Sequence, residues 1–355
     1  MKVLTVIGNR PQFIKAAAVT PTLRERHEEV MVHTGQHFDD ELSTVFFAEL
    51  GLPEPERELD IALGSNTSQT ARMLAALEPV MSESPADVVL VYGDTNSTLA
   101  GALAGAQAGL PVAHVEAGMR SFDRSMPEEL NRVLADHASA LLLCSSETSA
   151  ENLRREGVDG RVEVVGDVMA DVALKVQPLA RERRDLVKAR GVEPGAYVVA
   201  TAHRPGNVDD RERLERLVGL LIAVPLPVVF PVHPRTRARL AAAGLLERLA
   251  EAVTLAPPLG YLELTALVCN ARAVLTDSGG LQKEAYLAGV PCVTLRPNTE
   301  WTETVELGWN VLVDLNSEIA IDALEREPPT DRPSLYGDGH AGARVVEALT
   351  LLADD

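Results

Sequence analysis

The chain is poor in cysteine, with three in 355 residues: Cys144, Cys269 and Cys292. They are odd in number, lie in apolar surroundings and show no C-x-x-C spacing. That excludes a disulfide framework and gives no support to a zinc site; buried, reduced thiols of a cytoplasmic protein are expected. Aromatic residues are scarce too, at 4%, so the core has to come from Ala, Leu and Val. No apolar run approaches the roughly 20 residues that span a bilayer. The opening MKVLTVIG runs into Asn-Arg-Pro where an export signal would need small residues, and it reads as a first strand. Positive charge is in deficit: the net charge is −19, which argues against nucleic acid or an anionic membrane as partner. The fingerprint G-x-G-x-x-G is missing after the first strand, which counts against NAD.

What is present concentrates between Val88 and Arg132, VVLVYGDTNSTLAGALAGAQAGLPVAHVEAGMRSFDRSMPEELNR. A β-branched run, VVLVY, ends in Gly-Asp and passes into a small-residue, helix-compatible segment. A second run, PVAHV, ends in Glu-Ala-Gly. Ligands of parallel α/β sheets bind at the carboxyl ends of strands, so Asp94 and Glu116 are expected side by side at one sheet edge. Pro127 is suited to opening a helix, with Glu128 and Glu129 in its first turn. Three acidic positions, Asp94, Glu116 and Glu128, would then converge on one site, as general acid–base chemistry requires. Each has a plainer alternative. Asp94 could N-cap the following helix, Glu116 could be a loop carboxylate held by backbone amides, and Glu128 could answer the helix dipole.

An acidic chain that binds an anionic small molecule needs local cations, and these stand at loops. KVLTVIG, residues 2–8, reads as a buried strand, and Pro11 as a helix start, which leaves Arg10 at the turn. Arg10 and Lys15 resemble phosphate clamps; the alternative is a solvated turn arginine and a helix-surface lysine. His203 and Arg204 follow the strand YVVATA, and His233 and Arg235 follow VVFPV. The strongest local signal is AVLTDSGGLQKEA, where a strand ends in Asp277-Ser278 and Gly279-Gly280 opens a helix. Glycines admit a close ligand, and first-turn amides bind anions; the alternative is a Ser-capped helix. Glu284 suits a ribose diol, or else a surface Lys–Glu pair. Strand–helix alternation stops near residues 168–195 and then restarts. Two doubly wound Rossmann-like domains facing a cleft are therefore expected, residues 1–170 and 171–340, with a last helix, about 341–355, returning to the first.

Taken in order, GNRPQFIK, HTGQHFDD, VYGDTNST, HVEAGMRS, MPEELNR, TAHRPGN, PVHPRT and TDSGGLQKEA resemble the UDP-N-acetylglucosamine 2-epimerase family, in its non-hydrolysing branch, over nearly the whole chain. The resemblance implies a GT-B-type architecture, a homodimer, a UDP-sugar ligand, and no metal or NAD. It implies reversible inversion at C2 of a UDP-2-acetamido sugar, UDP-GlcNAc to UDP-ManNAc. The C2 hydrogen is not next to a carbonyl, so the family eliminates UDP to a 2-acetamidoglucal and adds it back after protonation from the other face. Carried over by position, Asp94, Glu116 and Glu128 are the catalytic carboxylates, with base and acid undistinguished. His203 contacts the diphosphate and assists its departure. Arg10 and Lys15 lie on the phosphate side, Ser278, Gly279 and Gly280 form the pyrophosphate loop, Glu284 holds the ribose, and Leu264 meets the base. Two segments depart from the pattern. Gln36-His37-Phe38-Asp39-Asp40 speaks against activation by UDP-GlcNAc itself. Asn298-Thr299-Glu300-Trp301 replaces Glu-Arg-Pro and resembles a subgroup acting on UDP-2,3-diacetamido-glucuronic acid. A hydrolysing epimerase releasing ManNAc and UDP, or a UDP-sugar glycosyltransferase, are the rival readings.

Overall fold

Short apolar runs that are continuous, not alternating, mark strands covered on both faces. The computed structural model describes residues 1–36, 47, 49–83, 85–124 and 126–354, and its strands follow that rule. The chain divides into two units, Met1–Val172 together with the segment from Ser334 onward, and Ala173–Pro333.

The first unit holds β1 (Lys2–Ile7), β2 (Glu28–His33), β3 (Arg57–Glu58), β4 (Val88–Tyr92), β5 (Val112–Ala117), β6 (Leu141–Cys144) and β7 (Arg161–Val164). They form one sheet in the order β3-β2-β1-β4-β5-β6-β7, with parallel pairing throughout. The run VVLVY is buried at all five positions. Helix Asn96–Gln107 lies close on it because Gly101 and Gly105 carry no side chain; a Cβ there would press on Val91, Val6, Val89 and Val112. The helix Ala341–Asp354 belongs to this unit and packs on helix Arg10–Arg26. Gly342 seats against the Ala18 backbone, and His27 Nε2 lies 2.8 Å from Thr350 Oγ1.

The second unit repeats the plan with β8 (Val198–Thr201), β9 (Val228–Pro231), β10 (Thr254–Ala256), β11 (Ala273–Thr276), β12 (Cys292–Thr294) and β13 (Asn310–Leu312). The order is β10-β9-β8-β11-β12-β13, again parallel. Its aliphatic cores lie on both sheet faces. Both units are thus doubly wound, as the alternation predicts. In each, the chain reverses its direction of winding beside the first strand, between β1 and β4 and between β8 and β11; such switch points open a crevice at the carboxyl ends. Among the described residues no helix is long and apolar enough to cross a membrane.

Candidate active site

In the first unit the turns after β1 and β4 flank the switch point. Asn9 caps helix Arg10–Arg26, accepting from the Gln12 amide at 3.3 Å, so Arg10 opens that helix with Pro11 behind it. The buried Gln12 side chain accepts from Gly8 N at 2.7 Å and donates to the Tyr92 carbonyl at 2.9 Å and Thr98 Oγ1 at 3.0 Å. It locks the two turns together, a role its place in GNRPQ does not announce.

Asp94 does not cap the next helix. Thr95 does, one residue later, in a capping box with Thr98, because the threonine pair satisfies both end amides by itself. The Asp94 carboxylate, its side chain 34% exposed, pairs instead with Arg132, whose other arm reaches Glu129 at 3.4 Å. Asn131 holds the Asp94 carbonyl at 3.0 Å.

Glu116 stands at an irregularity of the sheet edge. It is the extra residue where the β5–β6 register shifts between Val115 and Ala117, and its φ is +71°. A non-glycine residue in left-handed backbone costs roughly 1–2 kcal/mol, and such strain gathers at functional sites. Its carboxylate pairs with Lys15, the two side chains being 11% and 8% exposed. Lys15 is therefore not a helix-surface lysine: it is buried and reaches across the Gly93 turn.

Pro127 opens helix Pro127–His137 as expected. Glu128 is exposed in its first turn, four residues before Arg132 and so on the same side of the helix. Glu129 is the buried neighbour; it accepts from Ser121 N and Oγ at 2.9 Å and Phe122 N at 3.0 Å, fixing the preceding loop. The structure thus brings Asp94 and Glu116 to adjacent strand ends, with Glu128 on the helix that holds Asp94.

In the second unit the strand ends carry donors. Asp277, fully buried after β11, accepts from His203 N at 3.1 Å, Arg204 N at 2.9 Å and Asn207 Nδ2 at 3.1 Å. It organises the turn after β8 and leaves the His203 ring, 43% exposed, 5.8 Å from the His233 ring. His233 also caps its own helix, accepting from Arg235 N.

Ser278 caps helix Gly279–Ala288 by accepting from Leu281 N at 3.4 Å. The space beside Gly279 is filled by the Glu300 carboxylate, which a side chain there would strike. Burial pushes Glu300 up, but Arg296 at 3.0 Å, with Arg204 beyond, holds it below the usual carboxylate range. Lys283, buried, lies over the Trp301 ring at 4.7 Å. Glu284 faces Tyr261, whose phenol is raised well above its usual value by burial and by the Glu284 charge. Both border a small cavity with Thr265, Cys269 and Gln177. Leu264 is half-buried on the same helix, Tyr261–Cys269. Among the described residues no group of three or more His, Cys, Asp or Glu is placed to hold a metal. His37 to Asp40 lie outside the described residues.

The model of the UDP-N-acetylglucosamine 2-epimerase family matches residues 22–350. The chain belongs to the UDP-N-acetylglucosamine 2-epimerase family. A family homologue from Methanococcus maripaludis is 46% identical over 98% of this chain and 99% of its own. The UDP-2,3-diacetamido-2,3-dideoxy-D-glucuronate 2-epimerase of Pseudomonas aeruginosa is 44% identical over 99% and 100%. The crystal structure of Methanocaldococcus jannaschii UDP-GlcNAc 2-epimerase with UDP-GlcNAc and UDP superposes with a TM-score of 0.91 at 39% identity, covering 99% of this chain and 100% of that one. Within the epimerase family, the two doubly wound units described above are this chain's version of a shared GT-B-like fold.

Proposed function

We propose that the chain is a non-hydrolysing epimerase acting at C2 of a UDP-2-acetamido sugar, with UDP-GlcNAc and UDP-ManNAc as the interconverting pair. The observation that carries this reading is the pair of strand-end carboxylates, Asp94 on Arg132 and Glu116 on Lys15, in a member of the epimerase family. A cation stands against each carboxylate and aims it. The first unit supplies the proton chemistry. One carboxylate takes the C2 proton as the C1–O bond breaks and UDP leaves. The 2-acetamidoglucal is then protonated at C2 from the opposite face while UDP returns to C1. Asp94, Glu116 and Glu128 share the two proton transfers.

The second unit holds UDP. His203 and Arg204 meet the leaving diphosphate, with Arg10 and Lys15 on the phosphate side. Ser278, Gly279 and Gly280 offer amides at the helix start, Glu284 takes the ribose diol, and Leu264 covers the base. The enzyme works as a homodimer in the cytoplasm.

A second reading is favoured by the 44% identity to the diacetamido-glucuronate enzyme over the full chain: the same chemistry on a UDP-2,3-diacetamido-glucuronic acid. Incubation with UDP-GlcNAc in heavy water, followed by proton NMR, separates the cases. UDP-ManNAc with deuterium at C2 supports the first reading. Free ManNAc and UDP would replace it with hydrolysis. No reaction on UDP-GlcNAc but turnover of the diacetamido sugar moves it to the second.

A further inference from the structure

Behind the turns that carry Asp94 and Glu116 lies a buried polar cluster with no part in the chemistry above. His114, in β5 two residues before Glu116, is fully buried. Its Nε2 lies 2.7 Å from the Gly93 carbonyl oxygen, and its Nδ1 2.8 Å from Asp136 Oδ1. The ring thus bridges the Gly93 carbonyl and the Asp136 carboxylate. Asp136, fully buried near the end of helix Pro127–His137, also accepts from Gly118 N at 3.2 Å and from Arg120 Nη1 at 2.7 Å. Arg120 continues to Glu156 through Nε and Nη2, at 2.8 and 2.7 Å. Burial by itself pushes the Asp136 carboxyl up; His114 and then Arg120 overcome it and hold the group below its usual range.

The connectivity is specific. Gly93 precedes Asp94, and Gly118 follows Glu116 by two residues. One carboxylate therefore holds backbone atoms on both turns, Gly118 directly and Gly93 through one ring. Its own helix also grips Asp94 through Asn131 and Arg132. Glu116 sits in strained left-handed backbone between His114 and Gly118, and strain persists only where the surroundings over-determine it. Stability is a poor reason for the cluster, since apolar residues of similar volume often replace a buried ion pair without loss.

We propose that Asp136 is a positioning residue, which through His114 and Gly118 fixes the Asp94 and Glu116 turns against each other. This rests on the epimerase reading above. Asp136→Asn keeps the size and removes the charge. Its kcat falls about 30- to 100-fold, the scale of a small misplacement of reacting groups. KM and UDP affinity stay within about two-fold, because UDP is held elsewhere. Arg120→Lys, which preserves the charge beside Asp136, retains most of the native kcat. If Asp136→Asn does not fold, His114→Gln, which still offers a donor to the Gly93 carbonyl, carries the same test of kcat against KM. The proposal is overturned by native turnover in the variant that folds, or by turnover, UDP affinity and thermal stability falling together, the pattern of plain structural damage. If the native protein turns over neither sugar, the epimerase reading fails separately. Nitrogen-15 NMR then decides on the cluster: His114 ring and Gly93 and Gly118 backbone resonances that shift together in Asp136→Asn uphold the linkage, and unchanged Gly93 resonances sink it.

Discussion

Asp94 and Asp277 make an instructive pair. Each follows a central strand of a doubly wound parallel sheet, each borders the switch point, and each precedes a hydroxyl residue that caps the next helix. Their surroundings differ. Asp277 is fully buried, and its oxygens accept from two backbone amides and an asparagine, with His203 Nδ1 at 3.4 Å. Asp94 is a third exposed and meets one arginine. A strand-end acid is therefore not a reactive group by address alone; what its oxygens face decides. The first unit leaves Asp94 partly toward solvent with a cation behind it, and the second turns Asp277 inward and leaves the His203 ring partly exposed.

The comparison can be pressed hardest at Glu116. Glu116→Gln is expected to lose about 10³-fold in turnover, the scale of a general acid–base group, with UDP affinity unchanged by equilibrium dialysis. Full activity in that variant would abolish the division of labour between the units.

Next comes the pair itself. Asp277→Asn leaves buried amides of the His203 turn with a weaker acceptor and should cost about 3 kcal/mol by urea unfolding. Asp94→Asn should cost less than about 1 kcal/mol, as expected for a partly exposed ion pair, while removing turnover. Equal stability losses would show that the two acids do not differ as described.

A smaller effect follows from Asp136. Its pKa is lowered on folding from the ordinary 3.8, so its contribution is fully present above that value and is lost as pH falls through the folded-state pKa. The stability gap between the native protein and Asp136→Asn should therefore narrow below about pH 4, measured by denaturant unfolding across that range. A gap that widens on acidification would contradict the direction assigned.

Smallest is Ser278→Ala. Loss of an N-cap costs about 1 kcal/mol, visible as a shift in the unfolding midpoint. A larger effect on UDP affinity than on stability would show that the hydroxyl serves the ligand more than the helix.

The sequence carried the strands and the turns because both depend on local rules. Continuous apolar runs are buried strands, Pro11 and Pro127 open helices, and Ser278 before two glycines caps one. Even there, β1 ends at Ile7, one residue before the KVLTVIG run does, since the Gly8 amide is taken by Gln12. Partners were not legible. Lys15 and Glu116 stand 101 residues apart, and Arg132 and Asp94 stand 38 apart, so only the folded sheet order brings them together. The capping role went to Thr95 over Asp94 because two threonines three apart satisfy each other, a choice that composition does not rank. Glycines at 279 and 280 suggested space for a ligand; at Gly279 the space admits Glu300, from a loop beyond the next strand.

The division of the chain makes the second unit an insertion within the first. During synthesis residues 173–333 are delivered whole before the helix Ala341–Asp354 exists. At roughly 5–20 residues per second that interval lasts on the order of ten to thirty seconds. Throughout it, the side of helix Arg10–Arg26 that will receive Gly342 at Ala18 stays bare. The earliest-made sheet must wait through the folding of its neighbour with one flank uncovered. The oldest part of the chain is the last to be finished.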